Sequence, residues 1–308
     1  MPILFAIVGA TGTGKSSVAV ELAARYGAEI IGVDSRQVYK GFAIGTAQPS
    51  RADMEKVKHH MVDFLEPEKV FSAGDFCART RELLEAHPER KFIAVGGTGL
   101  YMQSLMLGLP EIPKVAPEVR TEIEDYGRTA GIDSLFKMAR ETDSEAMVNV
   151  DEHNVQRMVR ILEVHRATGR KLSDWQKERV GGIGELPVIW LDRPREELYA
   201  RIDARVDQMM SDGWMQEVLR LAESVPFDAP AWQSLGYREL YAAHTQNEIE
   251  FVLNDVKRKT RNYAKRQLTW FRGQMKTIRV DMSGCSSETV CERVEEVLDC
   301  FARGIVKA

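Results

Sequence analysis

The chain has 308 residues, 44% hydrophobic and 29% charged, which is the balance of a folded globular protein and excludes a disordered or low-complexity polymer. No apolar run approaches the roughly 18 residues of a membrane-spanning helix, and the start Met1-Pro2-Ile3-Leu4-Phe5 lacks the basic flank of a signal peptide. The net charge of −4 gives no global sign of a polyanionic partner, so any such contact has to be local.

Strands and helices alternate in the first third. Ile3–Val8 is an apolar run that ends in a glycine loop, and 16–26 has helical spacing. Ala28–Val33 reads as a second buried strand ending at Asp34. A short strand is predicted at 60–64. A helix follows at 72–85, with Ser72 and Asp75 at capping-box spacing. Another strand at 92–95 leads into Gly96-Gly97-Thr98 and a helix through Leu107. This alternation predicts a parallel sheet covered on both faces. From about 114 to 179 the spacing is helical throughout, then a glycine connector at 181–184 leads to a returning strand at 187–191. The remainder is helical, with one short strand at 278–280 and a last helix at 287–301. The expected architecture is an α/β core, residues 1–113 and 181–308, carrying an all-helical insertion at 114–180. Cys77, Cys285, Cys291 and Cys300 show no CxxC spacing, and reduced, incidental thiols in a cytoplasmic protein are expected.

Gly9-Ala10-Thr11-Gly12-Thr13-Gly14-Lys15-Ser16 matches GxxxxGK[ST] between a strand and a helix, the context that gives the motif its meaning. Its backbone N–H groups and the helix N-terminus are expected to cradle phosphate, Lys15 to meet the outer phosphates, and Ser16 to ligate Mg²⁺. The loop does not say which phosphate compound is bound. No clear Walker B strand exists. Asp34 and Asp63 are the candidates, and Asp34 is favoured because ligands bind at the C-terminal ends of strands in open α/β sheets.

From Asp34 onward the motifs become specific. Val33-Asp34-Ser35-Arg36-Gln37-Val38-Tyr39 is followed by His59-His60 with Asp63, by Phe71-Ser72-Ala73-Gly74-Asp75-Phe76 and by Val95-Gly96-Gly97-Thr98-Gly99-Leu100-Tyr101. Asn154-Val155-Gln156-Arg157-Met158-Val159-Arg160, Ser234-Leu235-Gly236-Tyr237-Arg238-Glu239 and Lys265-Arg266-Gln267-Leu268-Thr269-Trp270-Phe271-Arg272 complete the series. The set, in this order over roughly residues 3–275, resembles the tRNA dimethylallyltransferase (tRNA isopentenyltransferase) family. That resemblance implies a P-loop NTPase-like fold. It also implies transfer of a dimethylallyl group from dimethylallyl diphosphate to N6 of the adenosine 3′ of the anticodon, in tRNAs reading codons that begin with U.

By the same resemblance, Asp34 is the general base and an arginine near 201–205 closes on the diphosphate. Spacing leaves open whether that is Arg201 or Arg205. Thr11 is a weaker candidate for the bridging oxygen. The tRNA anticodon stem-loop is expected to meet Asp34, Ser35, Arg36, Gln37, Thr98, Arg120, Arg238 and the segment Gln156, Arg157, Met158, Val159 and Arg160. Lys257, Arg258, Lys259, Arg261, Lys265, Arg266 and Arg272 form a run that no acidic residue interrupts, and Lys265 and Arg266 are the expected phosphate contacts. Trp270 and Phe271 are read as core anchors, and His59 and His60 as buried, hydrogen-bonded residues. A monomer is expected. The rival readings are a small-metabolite kinase, an adenylate isopentenyltransferase and a non-catalytic RNA-binding GTPase or ATPase. The helical insertion argues against a free-nucleotide acceptor, and the absence of NKxD argues against a GTPase.

Overall fold

The computed structural model describes residues 2–148, 150–244 and 248–305. In chain order its elements begin with β1 (Ile3–Val8), α1 (Lys15–Tyr26), β2 (Ala28–Val33), α2 (Arg51–Lys56) and β3 (His59–His60). They continue with α3 (Ala73–Ala86), β4 (Lys91–Gly96), α4 (Gly99–Leu107), β5 (Leu109–Pro110), α5 (Pro117–Ala130), α6 (Ile132–Thr142), α7 (Val155–Thr168) and α8 (Leu172–Lys177). After β6 (Arg179–Val180) come β7 (Val188–Asp192), α9 (Arg195–Ser211), α10 (Trp214–Ser224), α11 (Tyr237–Ala243), α12 (Ile249–Gln274), β8 (Ile278–Asp281) and α13 (Ser287–Ala302).

The chain divides into two compact units, residues 1–104 with 185–308, and residues 105–184. In the larger unit six parallel strands run in the order β3-β2-β4-β1-β7-β8. Buried on both faces, β1, β2, β4 and β7 are nearly continuous apolar runs, as parallel strands must be. Their C-terminal ends are level, because Val8 and Val33 both pair with Gly96, and Val8 with Trp190. The residues that follow these ends, Gly9, Asp34, Gly97 and Arg193, therefore emerge along one edge of the sheet. Gly96 has to be glycine, since a Cβ there would lie 2.0 Å from the Val33 carbonyl oxygen. The result is the P-loop-type α/β core expected from sequence.

One predicted strand is cut short. The expectation at 60–64 becomes the two-residue β3, because Met61 (φ 61°) and Asp63 (φ 50°) take left-handed conformations. Their segment turns to pair with the loop after β2: Asp63 N–H donates to the Gln37 carbonyl at 2.9 Å and Phe64 N–H to the Val38 carbonyl at 2.9 Å.

The smaller unit packs α5, α6, α7 and α8 around Ile123, Leu135, Met158, Ile161 and Leu172. It is wider than the 114–180 read from periodicity. The ribbon of β5 and β6 belongs to it, and Ile183 and Gly184 N–H groups bond to the carbonyls of Leu105 and Met106. Asp143, fully buried, ties its loops together by accepting from the Ala146 N–H at 3.0 Å and the Ser173 N–H at 2.8 Å.

Candidate active site

The sheet edge opens into a cavity of about 350 Å³ lined by three kinds of wall. Thr11, Lys15, Ser16 and Arg205 form a cationic, phosphate-compatible wall, Asp34, Ser35, Arg36 and Gln37 a polar one, and Ile202, Val206, Met209, Trp214 and Leu235 an apolar one. Other parts of the boundary come from Gly45-Thr46-Ala47 and from Tyr263, Arg266 and Gln267 of α12.

The glycine loop wraps through left-handed Gly12 (φ 85°) and Gly14 (φ 94°), a region closed to most side chains. Not every loop N–H is free for an anion. The Thr11 N–H donates to Oε1 of Gln267 at 2.9 Å and the Thr13 N–H to the Ala10 carbonyl at 3.3 Å, while the buried Thr13 hydroxyl also bonds Ala10. The first turn of α1 is the part of the loop whose N–H groups have no acceptor within the helix, and Lys15 stands there on the cavity wall. Burial, with Arg205 adding like-charge repulsion, pushes the Lys15 ammonium down to about 8, against the opposing pull of Asp34.

Three arginines back this loop. Arg193, directly after β7, donates to the Thr13 carbonyl at 2.8 Å and to the Met282 carbonyl at 3.0 Å. Arg201 is exposed and donates to the Gly12 carbonyl at 2.9 Å, outside the cavity. Arg205 lines the cavity, and its Nη1 donates to the Thr11 hydroxyl at 3.3 Å. Its pKa is lowered by burial, with Asp34 pulling the other way. Of the pair that spacing left open, Arg205 is the one that lines the cavity.

Asp34 follows β2. Its Oδ1 accepts from the Arg36 N–H at 2.8 Å and the Gln37 N–H at 3.3 Å, which fixes the carboxylate against its own turn. Thr98, after β4, accepts from the Ser35 N–H at 3.2 Å. The Arg36 side chain is anchored to the Pro230 carbonyl, and the Gln37 amide to the carbonyls of Thr46 and Ala47. The strap at 43–47 is held in turn by the buried Glu217, which accepts from the N–H groups of Ala43, Ile44 and Gly45 and from the Tyr237 hydroxyl.

Gln267 links the two halves. Its Nε2 donates to the Gly97 carbonyl at 2.9 Å while Oε1 receives the Thr11 N–H, so one buried amide joins the phosphate loop to the end of β4. No role for it was assigned from sequence. The signal was a lone amide in the buried stripe Ala264, Gln267, Leu268, Phe271 of α12. Arg193, Glu217 and Trp214 lie outside every motif of the sequence, and Tyr237 lies in one that gives it no role.

Several site expectations change. Met158 and Val159, read with the tRNA-contacting segment, are 0% and 1% exposed in the core of the smaller unit. Helical spacing turns them inward and leaves Gln156 exposed, with Arg157 and Arg160 half-buried. Arg120 and Arg160 share the buried Glu163, and Arg157 donates to Gln176. The basic run on α12 is less basic than it reads. Lys257 pairs with Asp207, Arg258 with Asp255, Lys259 with Glu239 and Asp255, and Arg261 with Asp203. Among the described residues, Lys265, Arg266 and Arg272 make no ion pair. Arg266 and Arg238 line a second cavity beside the first. Phe271 is a core residue and Trp270 is half-buried. His59 bonds the Val57 carbonyl and His60 the Glu29 carboxylate, and burial lowers both pKa values.

A family model described as IPP transferase matches residues 37–274. The chain belongs to the IPP transferase family. Among the curated IPP transferases it is similar to the tRNA dimethylallyltransferase of Syntrophobacter fumaroxidans, 40% identical over 281 residues that cover 88% of this chain and 81% of that one. It is 40% identical over 282 residues to the tRNA dimethylallyltransferase of Moorella thermoacetica, covering 87% and 86%. The tRNA isopentenylpyrophosphate transferase of Bacillus halodurans has the same fold, with a TM-score of 0.70 at 32% identity over 98% of this chain and 99% of that one. A eukaryotic dimethylallyltransferase acting on tRNA shares the fold alone, with a TM-score of 0.77 at 24% identity over 99% of this chain and 80% of that one.

Proposed function

We propose that this chain transfers the dimethylallyl group of dimethylallyl diphosphate to N6 of the adenosine 3′-adjacent to the anticodon, in tRNAs reading codons that start with U, and releases diphosphate. The observation that carries the proposal is the convergence of a glycine-rich phosphate-loop motif, an apolar wall and a carboxylate on one cavity. Lys15, Arg205 and the N-terminus of α1 would hold the diphosphate, where they stabilise the charge that grows as it leaves. The Thr11 hydroxyl, fixed by Arg205, would stand near the bridging oxygen.

An aromatic amine is a weak nucleophile because its lone pair is delocalised. Asp34 would accept the N6 proton as the N6–C1 bond forms and the C1–O bond breaks. Its Oδ1 is occupied by backbone N–H groups, which leaves Oδ2 for that proton. The Ser16 hydroxyl, on the cavity wall at the head of α1, fits a Mg²⁺ site of the kind completed by substrate phosphates and water. A bound Mg²⁺ would supply further charge neutralisation on the diphosphate. The target base has to leave its stack to enter the cavity. Ser35, Gln37 and Thr98 would meet it, and Lys265, Arg266 and Arg238 would track the anticodon stem-loop of a tRNA bound by a monomer. Gln156, Arg157, Arg160 and Arg120 remain the polar contacts proposed for the smaller unit. No helix among the described residues is long and apolar enough to cross a membrane, in keeping with work on tRNA in the cytoplasm.

The test is transfer of radiolabelled dimethylallyl diphosphate, with Mg²⁺, to unmodified tRNA reading UNN codons and, in parallel, to AMP. Label on the tRNA adenosine but not on AMP is expected. Label on AMP alone would support an adenylate isopentenyltransferase instead, and label on neither would reopen the kinase reading.

A further inference from the structure

One face of α9 forms a cavity wall. Arg205 reaches Thr11 at the phosphate loop, and Val206 and Met209 continue the wall beyond it. The four residue steps from Arg205 to Met209 rise about 6 Å, about the length of one isoprene unit and short of two. α9 ends at Ser211, and Gly213 (φ 97°) turns the chain so that Trp214, the first residue of α10, also borders the cavity.

Trp214 is 1% exposed and has no room to swing. A Cβ on Gly45 would come within 2.1 Å of its Nε1 and one on Gly236 within 2.4 Å of its Cη2, so two glycines form the slot that holds the ring. Tyr237 meets the indole edge-on at 5.7 Å. The indole Nε1 is buried and has no hydrogen-bond partner, so packing holds the ring in place. A wall packed this tightly resists a ligand that is too long, because overfilling a close-packed interior forces strained side chains.

We propose that Trp214, with Met209, sets the length of the allylic donor, admitting one isoprene unit between the diphosphate end of the cavity and the indole and rejecting two. This rests on the donor reading above. The chemistry is the same for either donor: the C1–O bond breaks, N6–C1 forms, diphosphate leaves with the electron pair and the N6 proton passes to Asp34. Only the room for the chain differs.

The experiment compares dimethylallyl and geranyl diphosphate as donors to the same tRNA, in the wild type, Trp214→Ala and Met209→Ala, and reads the ratio of their kcat/KM values. The ratio is expected to shift toward the geranyl donor by about tenfold or more in Trp214→Ala, and in the same direction in Met209→Ala. Trp214 belongs to the core, so Met209→Ala decides the matter if Trp214→Ala does not fold. An unchanged ratio, with both donors slowed alike, overturns the proposal, because a merely structural residue would act in that way. So does a raised KM for tRNA at constant ratio, which would put the indole on the acceptor side. A wild type inactive with dimethylallyl diphosphate would overturn the donor reading and this inference with it.

Discussion

Lys15 sits where burial and Arg205 make its positive charge costly, and its pKa falls to about 8. A diphosphate placed against it would restore the charged form. Binding near pH 8.5 is therefore expected to take up a fraction of a proton, and donor affinity to fall as pH rises through about 8, with a slope of at most about one log unit per pH unit. Calorimetry in buffers of different ionisation heat measures the uptake. Binding with no proton exchange there would contradict the placement of the diphosphate on Lys15. The lysine itself was plain from the loop motif, and Asp34 from its place after a strand. Gln267 was not, because its two partners lie 256 and 170 residues away and no local spacing marks them. Burial of that amide favours pairing, since an unpaired buried polar group costs about 1–3 kcal/mol.

Among the elements, the 43–47 strap depends on α10. Glu217 is 3% exposed and gathers three backbone N–H groups and a phenol, and burial raises the pKa of Tyr237, with Glu217 beside it adding to the rise. Glu217→Ala is expected to lower stability by about 3 kcal/mol, read by denaturant unfolding. A loss under about 1 kcal/mol would mean that water replaces the carboxylate readily. On α12 the sequence shows a run of seven cations and hides the partners of two of them, because Asp207 and Asp203, which pair with Lys257 and Arg261, come from α9. Lys265→Ala is accordingly expected to weaken tRNA binding and reduce its salt slope by about 1. Arg258→Ala, already neutralised by Asp255, is expected to leave the slope near that of the wild type. Equal effects from both would show that the ion pair opens on binding. The same blindness to partners explains Met158 and Val159. Motif adjacency grouped them with Gln156 and Arg157, whereas helical periodicity, applied residue by residue, would have turned them inward.

For the whole molecule, the order of strands places four connections at one sheet edge, and each delivers a part of the site: the phosphate loop after β1, Asp34 after β2, Thr98 after β4 and Arg193 after β7. The alternation of strands and helices makes this edge legible in the sequence, whereas the cavity depends on how α9, α10 and α12 close over it. In the proposed reaction this cavity holds donor and acceptor together, with Asp34 taking the proton. The most direct measurement is single-turnover transfer by Asp34→Asn at saturating tRNA and donor, beside tRNA affinity for the same variant. A loss of about 10²–10⁴-fold in the transfer rate with tRNA affinity within a few-fold of the wild type is expected. Transfer at the wild-type rate would contradict this role of Asp34.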